Sequence, residues 1–184
     1  MRIGRVVSSR SLVDVTCLVD SPGTSGLAPG GHAFGNFVRV GESAVGILYD
    51  SVLQNADSGN PGSRNNPAQA GAPPGTAGAT MVSVLLLGTL DAAGGSQGMP
   101  LSVVSLHAEV GILGDDEIAR FHRDADQVLQ VRYVPLVLSH AGGAARPLLT
   151  VVLSRLATLF PRDLSRIEVL RKALLWQATM AAIR

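Results

Sequence analysis

Apolar and polar residues alternate from the start of the chain. Ile3, Val6 and Val7 are followed by residues 12–19, where Val13, Val15, Cys17 and Val19 fall on one side and Asp14 and Thr16 on the other. A period of two over such a run predicts a half-buried antiparallel strand. Similar short runs follow at residues 37–40, 44–49 and 81–88, and a further strand is expected within residues 102–112. Five short strands with Gly4, Gly46 and Gly88 inside or at the ends of them predict a small barrel. Those glycines are expected at bulges or tight corners, where a missing Cβ permits sharp curvature.

Beyond residue 112 the period changes. Gly114, Asp115, Asp116 and Glu117 precede Ile118 and Phe121, which is helix-start chemistry, with carboxylates at the positive end of the helix dipole. Pro147 fits the first turn of a second helix over 148–160, and Pro161 or Asp163 opens a third running toward residue 183. Residues 127–139 (QVLQVRYVPLVLS) read two ways. Their β-branched content points to a strand, whereas the spacing of Leu129, Tyr133 and Leu136 points to a helix, the preferred reading, which Pro135 would kink. The predicted class is therefore α+β: a small antiparallel β-barrel over residues 1–112, followed by a helical tail over 113–184.

Two stretches interrupt the barrel pattern. Residues 55–80 hold six Ala, five Gly, four Pro and four Asn among 26 positions, too little apolar surface to offset ordering entropy, so a disordered loop is expected. Residues 21–35 carry the same glycine and proline punctuation. In the tail the reverse holds. Leu148, Leu149, Val151, Val152, Leu153, Leu156, Leu159 and Phe160 surround nearly the whole of one helix, and Leu164, Ile167, Leu170, Leu174 and Ala178 make a stripe on the next. A helix apolar all round must be covered on all sides. The candidate partner interface is accordingly Leu149, Val152, Leu156, Phe160, Leu164, Ile167 and Leu174.

Composition agrees with that expectation. Charged residues make up 16% of the chain, against about 25% in an ordinary soluble protein, and the hydrophobic share is 46%. Fifteen Lys and Arg against 14 Asp and Glu give a net charge of +1, which argues against a dedicated nucleic-acid clamp. Arg5, Arg10 and Arg39, beside Phe34 and Phe37, still outline an alternative nucleic-acid face of the kind an oligonucleotide-binding barrel uses. Lys172 is the one lysine, and no glycine-rich loop precedes it, so no nucleotide hydrolysis by this chain alone is expected. The histidines, His32, His107, His122 and His140, show no metal-ligand spacing, and the adjacent Asp115, Asp116 and Glu117 point in different directions from a helix start. Gly142 and Gly143 read as a turn between helices, and no serine lies in a nucleophile elbow. No catalytic residue, cofactor or metal is expected. The single Cys17 excludes an internal disulfide, and no signal segment or long apolar run is visible, so the expectation is a cytoplasmic protein.

The order of these motifs resembles a known family. The opening Arg2-Ile3-Gly4-Arg5-Val6-Val7-Ser8-Ser9, the strand from Val13 to Val19, Gly35-Asn36-Phe37-Val38-Arg39-Val40 and Ala44-Val45-Gly46-Ile47-Leu48 resemble the HAS barrel. That is the N-terminal barrel of HerA-type hexameric DNA-translocating ATPases and of rotary ATP synthase catalytic subunits. Leu85-Leu86-Leu87-Gly88-Thr89-Leu90 and Asp115-Asp116-Glu117-Ile118-Ala119-Arg120-Phe121 are similar to the continuation in bacterial HerA-like proteins, so the resemblance covers about residues 1–125. The family's Walker A motif and RecA-like core have no counterpart up to Arg184, so motor function is not expected to carry over. The resemblance implies a free-standing barrel acting as a non-catalytic adaptor or assembly subunit in DNA processing. Its partner would be a separately encoded HerA-like ATPase or nuclease, another copy of itself, or both. The alternative is a nucleic-acid-binding barrel that loads single strands for a helicase or nuclease.

Overall fold

A computed structural model describes residues 1–20, 33–54, 79–100 and 102–182. Of the low-complexity segment expected as a loop over 55–80, residues 55–78 lie outside the described residues, as do 21–32 with His32, whereas Ala79 and Thr80 are not loop but open a strand that pairs with Leu53 and Gln54. The strands are β1 (Arg2–Ser9), β2 (Asp14–Val19), β3 (Phe37–Val40), β4 (Ala44–Gln54), β5 (Ala79–Leu90), β6 (Gly95–Gln97) and β7 (Glu109–Ile112). Every pairing is antiparallel. In the order β2-β1-β7-β3-β4-β5 the sheet closes on itself through β2–β5, a six-stranded barrel with β6 added beyond the point where β2 leaves β5. Closure removes the exposed edges that an open sheet would leave.

The two sides of the wall are both apolar. Ile3, Val6, Val15, Cys17, Val38, Val40, Leu48, Val82, Val84, Leu86 and Val110 fill the interior. Alternating with them, Val13, Phe37, Val45, Ile47, Leu85 and Leu87 face outward into a second core shared with the helices. Register shows the alternation directly: Leu48 lies opposite Val84 inside, and Ile47 opposite Leu85 outside. This is why β5 reads as an unbroken apolar run from Val84 to Leu87, since a strand buried on both faces has no polar side.

Three expected glycine positions sit where the barrel bends or closes up. The β1–β7 register shifts between Arg2 and Gly4, and the β4–β5 register between Val45 and Gly46. At Gly88, in the positive-φ region at 151°, any Cβ would fall on the carbonyl oxygen of Ser96 in β6.

Two expectations at the barrel's end need correction. The strand sought in 102–112 is confined to β7, because at residue 107 the backbone enters the left-handed region (φ 65°) and His107 and Ala108 turn back to bond both backbone groups of Val6. The missed strand, β6, is three residues (Gly-Ser-Gln) with no apolar alternation to reveal it. It exists because Gly95 lets the chain run against the backbone of Phe121, where a Cβ would come within 2.6 Å.

The helices are α1 (Asp115–Phe121), α2 (Val134–His140), α3 (Ala145–Leu159) and α4 (Leu164–Ala182), with 3₁₀ turns at Gly142–Ala144 and Pro161–Asp163. Within 127–139, helix forms only from Val134. Pro135 does not kink it but starts it, in the first turn where the missing N–H has no helical partner to lose. Leu129, upstream, bridges back to Arg123 instead.

Substituting Gly88→Ala should therefore lower stability by about 2–4 kcal/mol, through strain at positive φ and collision with β6. Gly143→Ala, where a Cβ meets nothing within 4 Å, should change it by less than about 0.5 kcal/mol. Urea unfolding of the two variants beside the wild type checks the contrast.

Candidate interaction surface

One buried polar pair holds the helical cap together where it meets the barrel's outer wall. His122, at the end of α1, is fully buried among Phe37, Phe121, Tyr133 and Phe160, with ring centroids 5.1 Å from both Phe37 and Phe121. Its Nδ1 lies 2.7 Å from the Ile118 carbonyl oxygen, which can only accept, so Nδ1 carries the proton and Nε2 accepts from the Tyr133 hydroxyl at 2.8 Å. Both nitrogens are thus satisfied in the neutral ring. Burial pushes the imidazole down to about 4 and the Tyr133 phenol up.

Polar ties around this seat fix the same elements. The Gln97 amide in β6 donates to the Phe121 and Gln130 carbonyls, both at 3.0 Å, and its oxygen accepts from the Arg132 backbone N–H at 2.7 Å. Asp124 accepts from the backbone of Asp126 and Val128 and from the Gln130 side chain, and its carboxyl is held below the ordinary carboxylate range chiefly by the Val128 N–H. Glu117 is held low first by its hydrogen bond from Arg39 and then by the Gly114 backbone N–H.

These contacts take up two residues of the alternative nucleic-acid face. Phe37 is fully buried and has no ring face to offer a base. Arg39 is drawn to Glu117 at 2.8 Å and donates to the carbonyls of Glu42 and Leu90. Arg10 is exposed and lies 3.9 Å from Asp14, whose carboxylate accepts from the Tyr49 hydroxyl, and the exposed Phe34 lines a hollow with Tyr49, while Arg5 is exposed on β1.

Most of the residues expected to form a partner interface lie in the chain's own core. Leu149, Val152, Leu156, Phe160 and Ile167 are buried in the chain's own second core, against Phe37, Val45, Ile47, Leu85 and Leu87 or against one another. The cover that α3 demands is the outer wall of the barrel. Leu174 packs partly against the same core, and of the seven only Leu164 is exposed, at 45%.

Several of the large apolar side chains left uncovered lie on α4. Ile167, Leu170 and Leu174 hold it to the cap, while Val169, Leu175 and Trp176 are 66%, 68% and 66% exposed. The stripe expected from the sequence left Val169, Leu175 and Trp176 off it, and its Ile167, Leu170 and Leu174 are the residues that pack on the cap. A wide groove of about 740 Å³ opens at the barrel's end between the β3–β4 turn, β6 and residues 98–105, with Met99 and Val103 exposed on its wall. Its lining has a single charged residue, Glu42.

Cys17 lies inside the barrel, where burial pushes its thiol up to about 12. Among the described residues no three His, Cys, Asp or Glu side chains gather as a metal site, and no single helix is long and apolar enough to cross a membrane. A family model described as Domain of unknown function (DUF8166) matches residues 1–184, so the chain belongs to that family. Comparison with curated proteins gives no match.

His122 makes stability depend on pH in a defined window. Unfolded, it takes a proton near its ordinary value of 6.5, whereas folded it stays neutral to about 4, so the unfolded state binds the extra proton between them. Stability should be complete above pH 6.5 and fall by up to ~3 kcal/mol as pH drops to 4. Urea midpoints measured across that range should show the fall in the wild type and a flat profile, at lower overall stability, in His122→Leu.

Proposed function

We propose that this DUF8166 chain is a non-catalytic assembly module, in which the capped barrel is a rigid platform and α4 is the element that engages protein. The observation that carries the reading is the exposure of Val169, Leu175 and Trp176 on a helix held by a narrow inner stripe. Large aromatic and aliphatic side chains standing in water together mark association surfaces in soluble proteins. The order of motifs in β1 to β5 and α1, which resembles the HAS barrel of HerA-type ATPases, supports an adaptor role beside a separately encoded DNA-translocating ATPase or nuclease. The partners in this reading are another copy of the chain, such a motor or nuclease, or both.

Nucleic-acid loading is the weaker reading. It requires aromatic and basic side chains on one accessible face, and Phe37 and Arg39 are already occupied in the cap.

The test compares native mass by light scattering at micromolar concentration, and proteins co-purifying from the source cell, for the wild type and Leu175→Ser/Trp176→Ser. The double variant should lose association while its Tm stays within a degree or two. Leu149→Ser should instead cost about 2–5 kcal/mol of fold stability, because that side chain is core. A wild type that is monomeric and recovers no partner would sink the proposal.

A further inference from the structure

One face of α4 reads the same in both directions. Leu164, Glu168, Arg171 and Leu175 are spaced by four, three and four residues, and at 100° per residue they fall within about 60° of the helix circumference. None of the four is buried: Leu164 and Leu175 are exposed, and the Glu168 and Arg171 side chains are 50% and 32% accessible. The face is set, because Arg171 bonds Glu168 at 2.7 Å along the helix and Ser154 of α3 at 3.2 Å across it.

We propose that this stripe pairs with the same stripe of a second copy, antiparallel, about a two-fold axis passing between Val169 and Leu170. The proposal rests on the assembly reading above and names its partner as the chain itself. In that arrangement Leu164 meets the partner's Leu175, and Glu168 meets the partner's Arg171, each contact occurring twice, as an isologous interface requires. A parallel two-fold pair would set Glu168 against the partner's Glu168 and Arg171 against the partner's Arg171, so charge selects the antiparallel arrangement. The neighbouring exposed stripe has the same spacing, but there Ser165 would face Trp176 and Val169 would face Lys172, with no opposite charges. The apolar ends contribute affinity, and the central charges set register and orientation.

Sedimentation velocity of the full chain tests this with Glu168→Arg, Arg171→Glu, their equimolar mixture and the double swap, with circular dichroism confirming the fold of each. The wild type should dimerise, and each single variant should weaken the dimer at least tenfold. The mixture should restore it, because every cross-pair is then opposite in charge although the intrachain pair stays broken in both chains. The double swap should also dimerise. Single variants that dimerise like the wild type, or a mixture that stays monomeric, overturn the α4 pairing while leaving self-association through another surface intact. A monomeric wild type overturns the pairing and leaves the assembly reading to a different protein partner, which the co-purification decides separately.

Discussion

A barrel whose wall is apolar on both sides cannot stand alone, and that constraint organises the rest of the molecule. Filling the interior with Val82, Val84 and Leu86 forces Leu85 and Leu87 outward, because neighbours along a strand point to opposite faces. With Phe37, Val45 and Ile47 they present a patch that would cost about 25 cal/mol per Å² if left in water. Helix α3 answers it. Its Leu149, Val152, Leu153 and Leu156 are buried against that patch and the flanking helices, so barrel and tail share one core.

Apolar packing alone would allow such a cap to slide, since Leu and Val surfaces accept many offsets. Gln97 of β6 restricts it, spending both amide donors and its acceptor on the Phe121 and Gln130 carbonyls and the Arg132 backbone N–H. Within the cap, the neutral His122 ring fixes α1 against the segment leading into α2, because moving either Ile118 or Tyr133 leaves a buried polar atom unsatisfied. Arg39–Glu117 and Arg155–Asp115, at 2.8 and 3.1 Å, lie nearer the surface and contribute less each, but they tie α1 to both β3 and α3.

Alternation and glycine placement made the barrel legible: β1 to β5 lie where the period-two runs and the bends at Gly4, Gly46 and Gly88 put them. What local pattern could not show was anything decided by a distant partner. β6 has no hydrophobic signature and is held by Gly95 against Phe121 and by its ladder with β5. Val103 and Leu106 look strand-like but are exposed in a turn segment, whose end is taken up by bonds to Val6. His122 carried no motif at all, because its role arises from Tyr133, eleven residues on, and from Phe37 across the barrel wall.

The helical tail illustrates the same limit for the candidate site. The inference that α3 must be covered on every side was sound physics, but periodicity cannot say whether the cover comes from the same chain. Here the same chain supplies it, through the outer barrel wall and the flanking helices. Among the described residues α4 has Ile167, with Leu170 and Leu174 beside it, as its anchor in the core, and Leu164, Val169, Leu175 and Trp176 stand exposed. Hiding Leu175 or Trp176 would take a large rotation of the helix about its axis. That would carry Ile167 out of the core, since positions eight and nine residues apart lie about 80° and 180° from one another around the helix. The inner stripe and the exposed residues are therefore alternatives for one binding face, and the helix that caps the fold must leave its other faces to solvent or to another surface.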